Sequence, residues 1–179
     1  MLDERNFSKY LSNHEIEVLV QSLADRINKD YKGKNLLLVA VLKGTIIFAA
    51  DLIRKLEMDP EIEFVRMTSY GKKSRASSGT VAFLKDIQSD LRGKHVLIIE
   101  EIIDSGRSLE FLYERLKKAE PESVEVCTLL DKSKKRVATD VPVKYVGRVV
   151  EDPFLVGYGL DLEEKFRNLK DIHYLKYPN

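Results

Sequence analysis

The sequence predicts an α/β protein built on a mainly parallel central sheet flanked by helices, and three observations carry that prediction. Residues 36–42, 96–99 and 124–130 are short apolar runs without polar alternation, the pattern of strands buried on both faces. Apolar residues at helical spacing fill the intervals: Ile46, Ala49, Ala50, Ile53 and Leu56 after the first run, and Leu109, Leu112 and Leu116 after the second. Alternating strand and helix patterns mark βαβ units, whose right-handed crossovers place helices on both faces of the sheet.

In chain order, Ser12 to Glu15 fits a capping box that opens a helix with Ile16, Leu19, Val20, Leu23 and Ile27 on its apolar face. Gly33 ends that element. The 36–42 strand stops at Lys43-Gly44-Thr45, the following helix is closed by Pro60, and Ile62, Phe64 and Val65 suggest another strand. Residues 68–80 are rich in Ser, Gly and basic side chains without periodicity, and read as a long loop, either a lid or plain surface. Val81 and Phe83 form a short strand beyond it. After the third buried strand comes a basic stretch, residues 132–136. Residues 143–150 and 154–160 read as short strands, 163–169 as a short helix, and a Tyr-rich tail ends the chain.

The chain of 179 residues suits one domain, with a core at about 30–140 and a smaller hood formed by about 143–179 with N-terminal residues. A formal net charge of +1 does not favour nucleic acid or an anionic membrane as partner. A lone cysteine, Cys127, excludes an intramolecular disulfide and lies in an apolar run that implies burial. No apolar stretch is long enough to span a membrane, and the polar start Met-Leu-Asp-Glu-Arg-Asn is unlike a signal peptide. The expectation is a soluble, intracellular, cytoplasmic protein.

Residues 96–109 are the most informative. Glu100 and Glu101 follow a buried strand where it is expected to end; then come Asp104 and the small, polar Ser105-Gly106-Arg107-Ser108, and then a helix. Loop amides and the helix dipole hold an anion in such an arrangement, and carboxylates in front of it hold hydroxyls or a metal. Adjacent strand residues point to opposite faces, so both acids serve one ligand only if the backbone bends there. Parallel sheets bind ligands at the carboxyl ends of their strands, and Lys43-Gly44, residues 100–108 and Asp131-Lys132 all fall at such ends. Taken alone, Asp131-Lys132 reads as a surface ion pair and Phe154 as core. His14, His95 and His173 form no metal-ligand or triad spacing.

Together these residues resemble the hypoxanthine-guanine phosphoribosyltransferases, of the type I phosphoribosyltransferase fold. The likeness runs from about residue 36 to 169 in the family's order: Val-Leu-Lys-Gly-Thr at 41–45, Ser-Tyr-Gly at 69–71, Ile-Glu-Glu-Ile-Ile-Asp-Ser-Gly at 99–106, Leu-Leu-Asp-Lys at 129–132, Phe-Leu-Val-Gly-Tyr-Gly-Leu-Asp at 154–161 and Lys-Phe-Arg-Asn-Leu at 165–169.

The resemblance implies purine salvage: transfer of phosphoribosyl from phosphoribosyl pyrophosphate to hypoxanthine or guanine, with Mg²⁺ as cofactor and a homodimer or homotetramer as assembly. It implies that Glu100 and Glu101 bind the ribose hydroxyls, directly or through Mg²⁺, and that Asp104 is the general base at purine N7. Ser105, Gly106, Arg107 and Ser108 would cradle the 5′-phosphate. Lys43 and Gly44 would contact pyrophosphate through a peptide that is cis in this family, and Ser69 and Tyr70 would close over the reaction. Lys132 would donate to purine O6, Phe154 would stack on the ring, and the Leu155 backbone would bind its edge. Asp161 would hold a second Mg²⁺, and Arg167 would reach pyrophosphate. The chain departs from the family at the acidic pair, Glu-Asp there and Glu100-Glu101 here. One added methylene displaces a carboxylate by about a bond length, and a ~1 Å misplacement can cost ~10²-fold in rate. This leaves two further readings: a relative acting on another base, such as xanthine or uracil, and a catalytically weakened regulatory nucleotide-binding protein.

Overall fold

The computed structural model describes residues 6–69, 81–137, 140–151 and 153–176. Its main sheet has six strands in the order β4-β3-β2-β5-β6-β7, formed by β2 (Leu36–Leu42), β3 (Glu61–Ser69), β4 (Val81–Lys85), β5 (His95–Ile103), β6 (Ser123–Asp131) and β7 (Tyr145–Val149). All neighbours are parallel except β4, which runs antiparallel at one edge. A second sheet of three antiparallel strands has the order β1-β9-β8, from β1 (Phe7–Leu11), β8 (Leu155–Val156) and β9 (Ile172–Leu175).

Three helices cover the main sheet: α1 (Asn13–Asp30), α2 (Ile46–Ile53) and α3 (Arg107–Lys117). The alternation of side chains along each strand divides the core in two. Leu38, Ala40, Leu97, Ile99 and Leu129 pack with α1 and α2, while Leu37, Val39, Val96, Ile98 and Val126 pack with α3. The capping box of α1 is present: Ser12 Oγ accepts from the Glu15 amide, and Glu15 accepts from the Ser12 amide. Leu109, Leu112 and Leu116 are buried on α3, each contributing ~1.5–3 kcal/mol, which fixes the helix start beside the end of β5. Cys127 sits inside β6 with no exposed surface.

Several expectations are corrected. The buried face of α2 is centred on Phe48, Ala49 and Leu52; of the expected series Ala49 is buried and Ile53 and Leu56 pack partly against the core, while Ala50 is exposed and Ile46 is 51% exposed because the sheet lies on the other side of the helix. β5 does not end at Glu100 but stays paired to β6 as far as Ile103↔Asp131, so the backbone ladder carries both acids. Residues 163–169 form turns, not a helix: Glu163, Glu164 and Phe166 have φ of 51°, 65° and 72°, outside the helical region. In the stretches expected as strands at 143–150 and 154–160, only β7 and the two-residue β8 form. Conversely β1 and β9, at opposite ends of the chain, form strands by pairing with one another. Among the described residues, no helix is long and apolar enough to cross a membrane.

Candidate functional site

The direction of the strand order reverses between β2 and β5: from β2 the chain moves outward to β3, and from β5 it moves the other way to β6. A crevice opens outside the carboxyl ends of strands at such a switch point. β2 delivers Lys43 and Gly44 there, and the Leu42–Lys43 peptide is cis. β5 delivers Glu100 to Ser108, and β6 delivers Asp131 and Lys132.

The two acids diverge, as strand geometry requires. Glu100 lines a cavity of 160 Å³ together with Asp104, Ser105, Gly106 and Ser108. Glu101 turns toward the end of β2. The fully buried Thr45 hydroxyl donates to the Glu101 carboxylate and accepts from the Glu101 amide at 3.3 Å. A Cβ on Gly44 would lie 2.6 Å from Glu101 Cδ, so any larger residue there would have to displace this carboxylate. Burial pushes the Glu100 carboxyl well above the usual carboxylate range, and the neighbouring Glu101 charge adds to it. Burial also raises Glu101, opposed by the Thr45 hydrogen bond and the Arg167 charge.

The loop after β5 leads directly into the start of α3. Gly106 adopts a left-handed φ of 79° and precedes α3, whose first-turn amides no side chain among the described residues caps. Val137 N–H donates to Ser105 C=O at 3.1 Å and braces the loop from the β6 side. Asp104 is exposed, with Oδ1 3.9 Å from Lys135 Nζ. Arg107 is exposed and Ser108 half-buried.

Asp131 and Lys132 are both buried, at 4% and 8% exposure, which overturns the surface ion pair. Asp131 is gripped by Arg136, through Nε at 2.9 Å and Nη2 at 2.5 Å. Lys132 N–H donates to Ile103 C=O at 3.0 Å, tying the ends of β5 and β6 together. Phe154 is 37% exposed rather than core, and its carbonyl accepts from Leu175 N–H at 3.0 Å. Leu155 is buried in β8.

Residues 157–169 close the crevice on the β2 side. A Cβ on Gly159 would lie 3.0 Å from the Gly44 carbonyl carbon and closer still to its oxygen, so these two backbones touch. Arg167 Nη1 donates to Gly159 C=O at 2.7 Å, and Arg167 Nη2 lies 2.8 Å from Asp161 and 3.1 Å from Glu164. Glu164 also pairs with Lys43 at 3.0 Å. The structure thus gathers Lys43, Gly44, Glu101, Asp161 and Arg167 in one group and Glu100, Asp104, Ser105, Gly106 and Ser108 in another. Ser69 ends β3; its side chain, Tyr70 and the rest of the expected lid lie outside the described residues.

Sequence reasoning gave no role to Thr45, Gly159, Glu164 or Arg136. Thr45 was within the Lys-Gly-Thr motif, but its partner lies 56 residues away. Gly159 was signalled only by the spacing Gly157-Tyr158-Gly159.

Comparison with known proteins agrees with this geometry. A family model described as the phosphoribosyl transferase domain matches residues 6–163. The chain is 41% identical over 174 residues to a hypoxanthine-guanine phosphoribosyltransferase of Streptococcus thermophilus, covering 97% of this chain and 96% of that protein. It is 42% identical over 157 residues to a hypoxanthine phosphoribosyltransferase of Salmonella typhimurium, covering 87% of each. The crystal structure of a hypoxanthine phosphoribosyltransferase from Staphylococcus aureus superposes with a TM-score of 0.89 at 39% identity, covering 96% of this chain and 94% of that one. A hypoxanthine-guanine phosphoribosyltransferase from Bacillus anthracis, with a HEPES molecule in its active site, gives 0.87 at 41% identity, covering 93% of this chain and 97% of that one. With the switch-point crevice, these matches place the chain in the phosphoribosyltransferase family, among the hypoxanthine-guanine phosphoribosyltransferases.

Proposed function

We propose that the protein is a purine-salvage enzyme that transfers phosphoribosyl from phosphoribosyl pyrophosphate to hypoxanthine and guanine, releasing pyrophosphate. The observation that carries this is the pair of anion-holding regions on either side of β5. The uncapped start of α3 suits a 5′-phosphate, and the Lys43, Gly44 and Arg167 group suits pyrophosphate. The reacting ribose carbon falls between them.

In the reaction the bond from C1 to purine nitrogen forms as the bond from C1 to pyrophosphate oxygen breaks, through a ribosyl cation-like transition state. Ser105, Gly106, Arg107 and Ser108 hold the 5′-phosphate. Glu100, facing the same cavity, holds the ribose hydroxyls. Asp104, at the mouth of that cavity, accepts the N7 proton as the purine attacks. Lys132 donates to O6, Phe154 stacks on the base, and the Leu155 backbone takes its edge. Ser69 and Tyr70 exclude water from the closed site.

The residues present fit Mg²⁺. Glu100, Glu101 and Asp161 are hard oxygen donors, burial penalises the charge on Glu100 and Glu101, and the Asp161 charge adds to the penalty on Glu101. A divalent cation relieves all of these. Among the described residues no three His, Cys, Asp or Glu side chains form a ready metal cluster, and Mg²⁺ needs none, since it binds one or two carboxylates and completes its shell with substrate phosphates and water. When bound, the ion would supply neutralisation of the charge gathering on the departing pyrophosphate.

We place the reaction in the cytoplasm of its cell, which suits an unpaired, buried thiol. We further propose a homodimer or homotetramer, and a domain whose three-stranded sheet forms a hood over the six-stranded core. The test is nucleotide formation from hypoxanthine, guanine, xanthine and uracil in competition, with and without Mg²⁺. Product from the first two, dependent on Mg²⁺, is expected. Product from xanthine or uracil alone would reassign the base. No product from any base, with nucleotide still bound, would favour a regulatory protein weakened by Glu101, and a gain in turnover in Glu101→Asp would show how far that residue limits the chemistry.

A further inference from the structure

The two cations assigned above to pyrophosphate are already joined by an anion of the chain itself. Glu164 Oε1 lies 3.0 Å from Lys43 Nζ, and Glu164 Oε2 lies 3.1 Å from Arg167 Nη2. One carboxylate therefore spends both its oxygens on side chains that reach it from different elements, the end of β2 and the loop after β8. Its backbone is held for this: Glu164 N–H donates to the Asp161 carboxylate at 2.9 Å, and its φ of 65° is one that L-residues rarely adopt. The Glu164 side chain is 63% exposed, so core packing does not account for its place. The adjacent Glu163, also exposed and at φ 51°, bridges neither cation among the described residues.

We propose that Glu164 is a built-in competitor for the pyrophosphate end of the site, and so a residue that sets the affinity for phosphoribosyl pyrophosphate and for the pyrophosphate product. This rests on the pyrophosphate role proposed for Lys43 and Arg167. The carboxylate bridges the cations as a phosphoryl group would, with two oxygens on two donors. It must swing away before both cations can grip a ligand. Binding then exchanges ion pairs rather than creating them, so the net gain comes only from the greater charge of pyrophosphate. When product leaves, the carboxylate returns, which lowers the cost of release, a step that limits turnover in many enzymes. While the site is empty it also keeps two mutually repelling cations turned toward one point.

The experiment is calorimetric titration of magnesium pyrophosphate into the wild type, Glu164→Gln and Glu163→Gln, alongside KM values for phosphoribosyl pyrophosphate and for the purine. Because Glu164 is exposed and its pairs are of the surface kind, Glu164→Gln is expected to tighten pyrophosphate binding by roughly threefold to tenfold. The KM for phosphoribosyl pyrophosphate falls with it, the purine KM does not move, and the advantage shrinks as salt rises. Glu163→Gln, which removes the same charge from the same loop, stays near wild type. Unchanged or weaker pyrophosphate binding in Glu164→Gln would overturn the proposal, since the carboxylate would then be organising the cations rather than competing for them. Equal tightening in both variants would overturn it too, by reducing the effect to the field of the loop. Failure of the function itself reads differently: the wild type would then form no nucleotide, whatever the titrations show.

Discussion

Two loops shape the site, and they are built on opposite plans. The loop after β5, residues 104–106, has one left-handed residue, and it is a glycine, Gly106. It is bounded by a buried strand and by a helix whose leucines are buried, so its ends are fixed by their own neighbours in sequence. The loop after β8, residues 157–169, puts Tyr158, Glu163, Glu164 and Phe166 in the left-handed region as well as Gly157 and Gly159. Each non-glycine there costs on the order of 1 kcal/mol, which distant or cross-loop contacts must offset. Those contacts are present: Tyr158 OH donates to Asp51 at 2.7 Å, Tyr158 N–H to Leu169 C=O at 2.9 Å, and Gly159 N–H to Arg167 C=O at 2.9 Å. One loop is encoded locally and the other by what it touches, so substitutions should affect them in different ways.

The largest effect is expected in the local loop. Asp104→Asn keeps the shape and removes the proposed base, so kcat should fall by ~10²–10⁴ while the KM for phosphoribosyl pyrophosphate stays close to wild type. Steady-state kinetics with each substrate varied would check this, and retained turnover would remove Asp104 from the chemistry. Next comes the contact-built loop. Gly159→Ala forces a methyl group against the Gly44 carbonyl, so one of the two loops must retreat. A stability loss of ~1–3 kcal/mol by thermal or denaturant melting is expected, with a higher KM for phosphoribosyl pyrophosphate. Should the purine KM rise instead, the loop would be serving the base and not pyrophosphate.

Gly106→Ala is a smaller perturbation, because only one residue is forced into a conformation it resists. About 1–2 kcal/mol is expected, seen as lower stability and weaker binding of the nucleotide 5′-phosphate. The smallest effect concerns the anchor of the contact-built region. Asp171 accepts from the Asn13 amide at 2.7 Å and pairs with Lys9 at 2.7 Å, and chiefly the Lys9 contact holds its carboxyl below the ordinary 3.8. A depressed folded-state value means that this stabilisation is full above the unfolded-state value and is lost as pH falls through the folded one. Asp171→Asn should therefore lower stability near neutral pH and narrow its distance from wild type below about pH 4. A gap in melting temperature that stayed constant down to pH 2 would show that the charge is immaterial.

The same contrast explains what could be read from the sequence. β2 and β6 lie within a residue of their apolar runs, and the face of α3 is the one its leucine spacing implied, because hydrophobic periodicity directly reports burial. The helix start just after Asp104 to Gly106 was legible for the same reason. The extension of β5 through Glu100 and Glu101 was not, since ladder pairing with β6 holds two acids in a strand that composition would have ended. Residues 163–169 carry Phe166 and Leu169 at a spacing that mimics a helix, yet their hydrogen bonds run across the loop, as in Leu162 N–H to Lys165 C=O at 3.2 Å. β1 and β9 were invisible because each is a strand only by virtue of the other, at the far end of the chain. The divergence of Glu100 and Glu101 followed from strand alternation, whereas the Thr45 hydroxyl that meets Glu101 belongs to the neighbouring strand's exit and leaves no local trace.

The chain's one thiol has a practical consequence. Cys127 lies in β6 between β5 and β7, without exposed surface, and burial raises its thiol far from the reactive thiolate. Its side chain faces the layer covered by α1, so a thiol reagent can reach it only when that helix lifts or the sheet itself opens. The rate of its labelling is thus a clock for opening of the core, blind to motions of the loops above. Ligands that hold the β2, β5 and β6 ends together should slow that clock, which offers a way to follow substrate binding without observing the reaction.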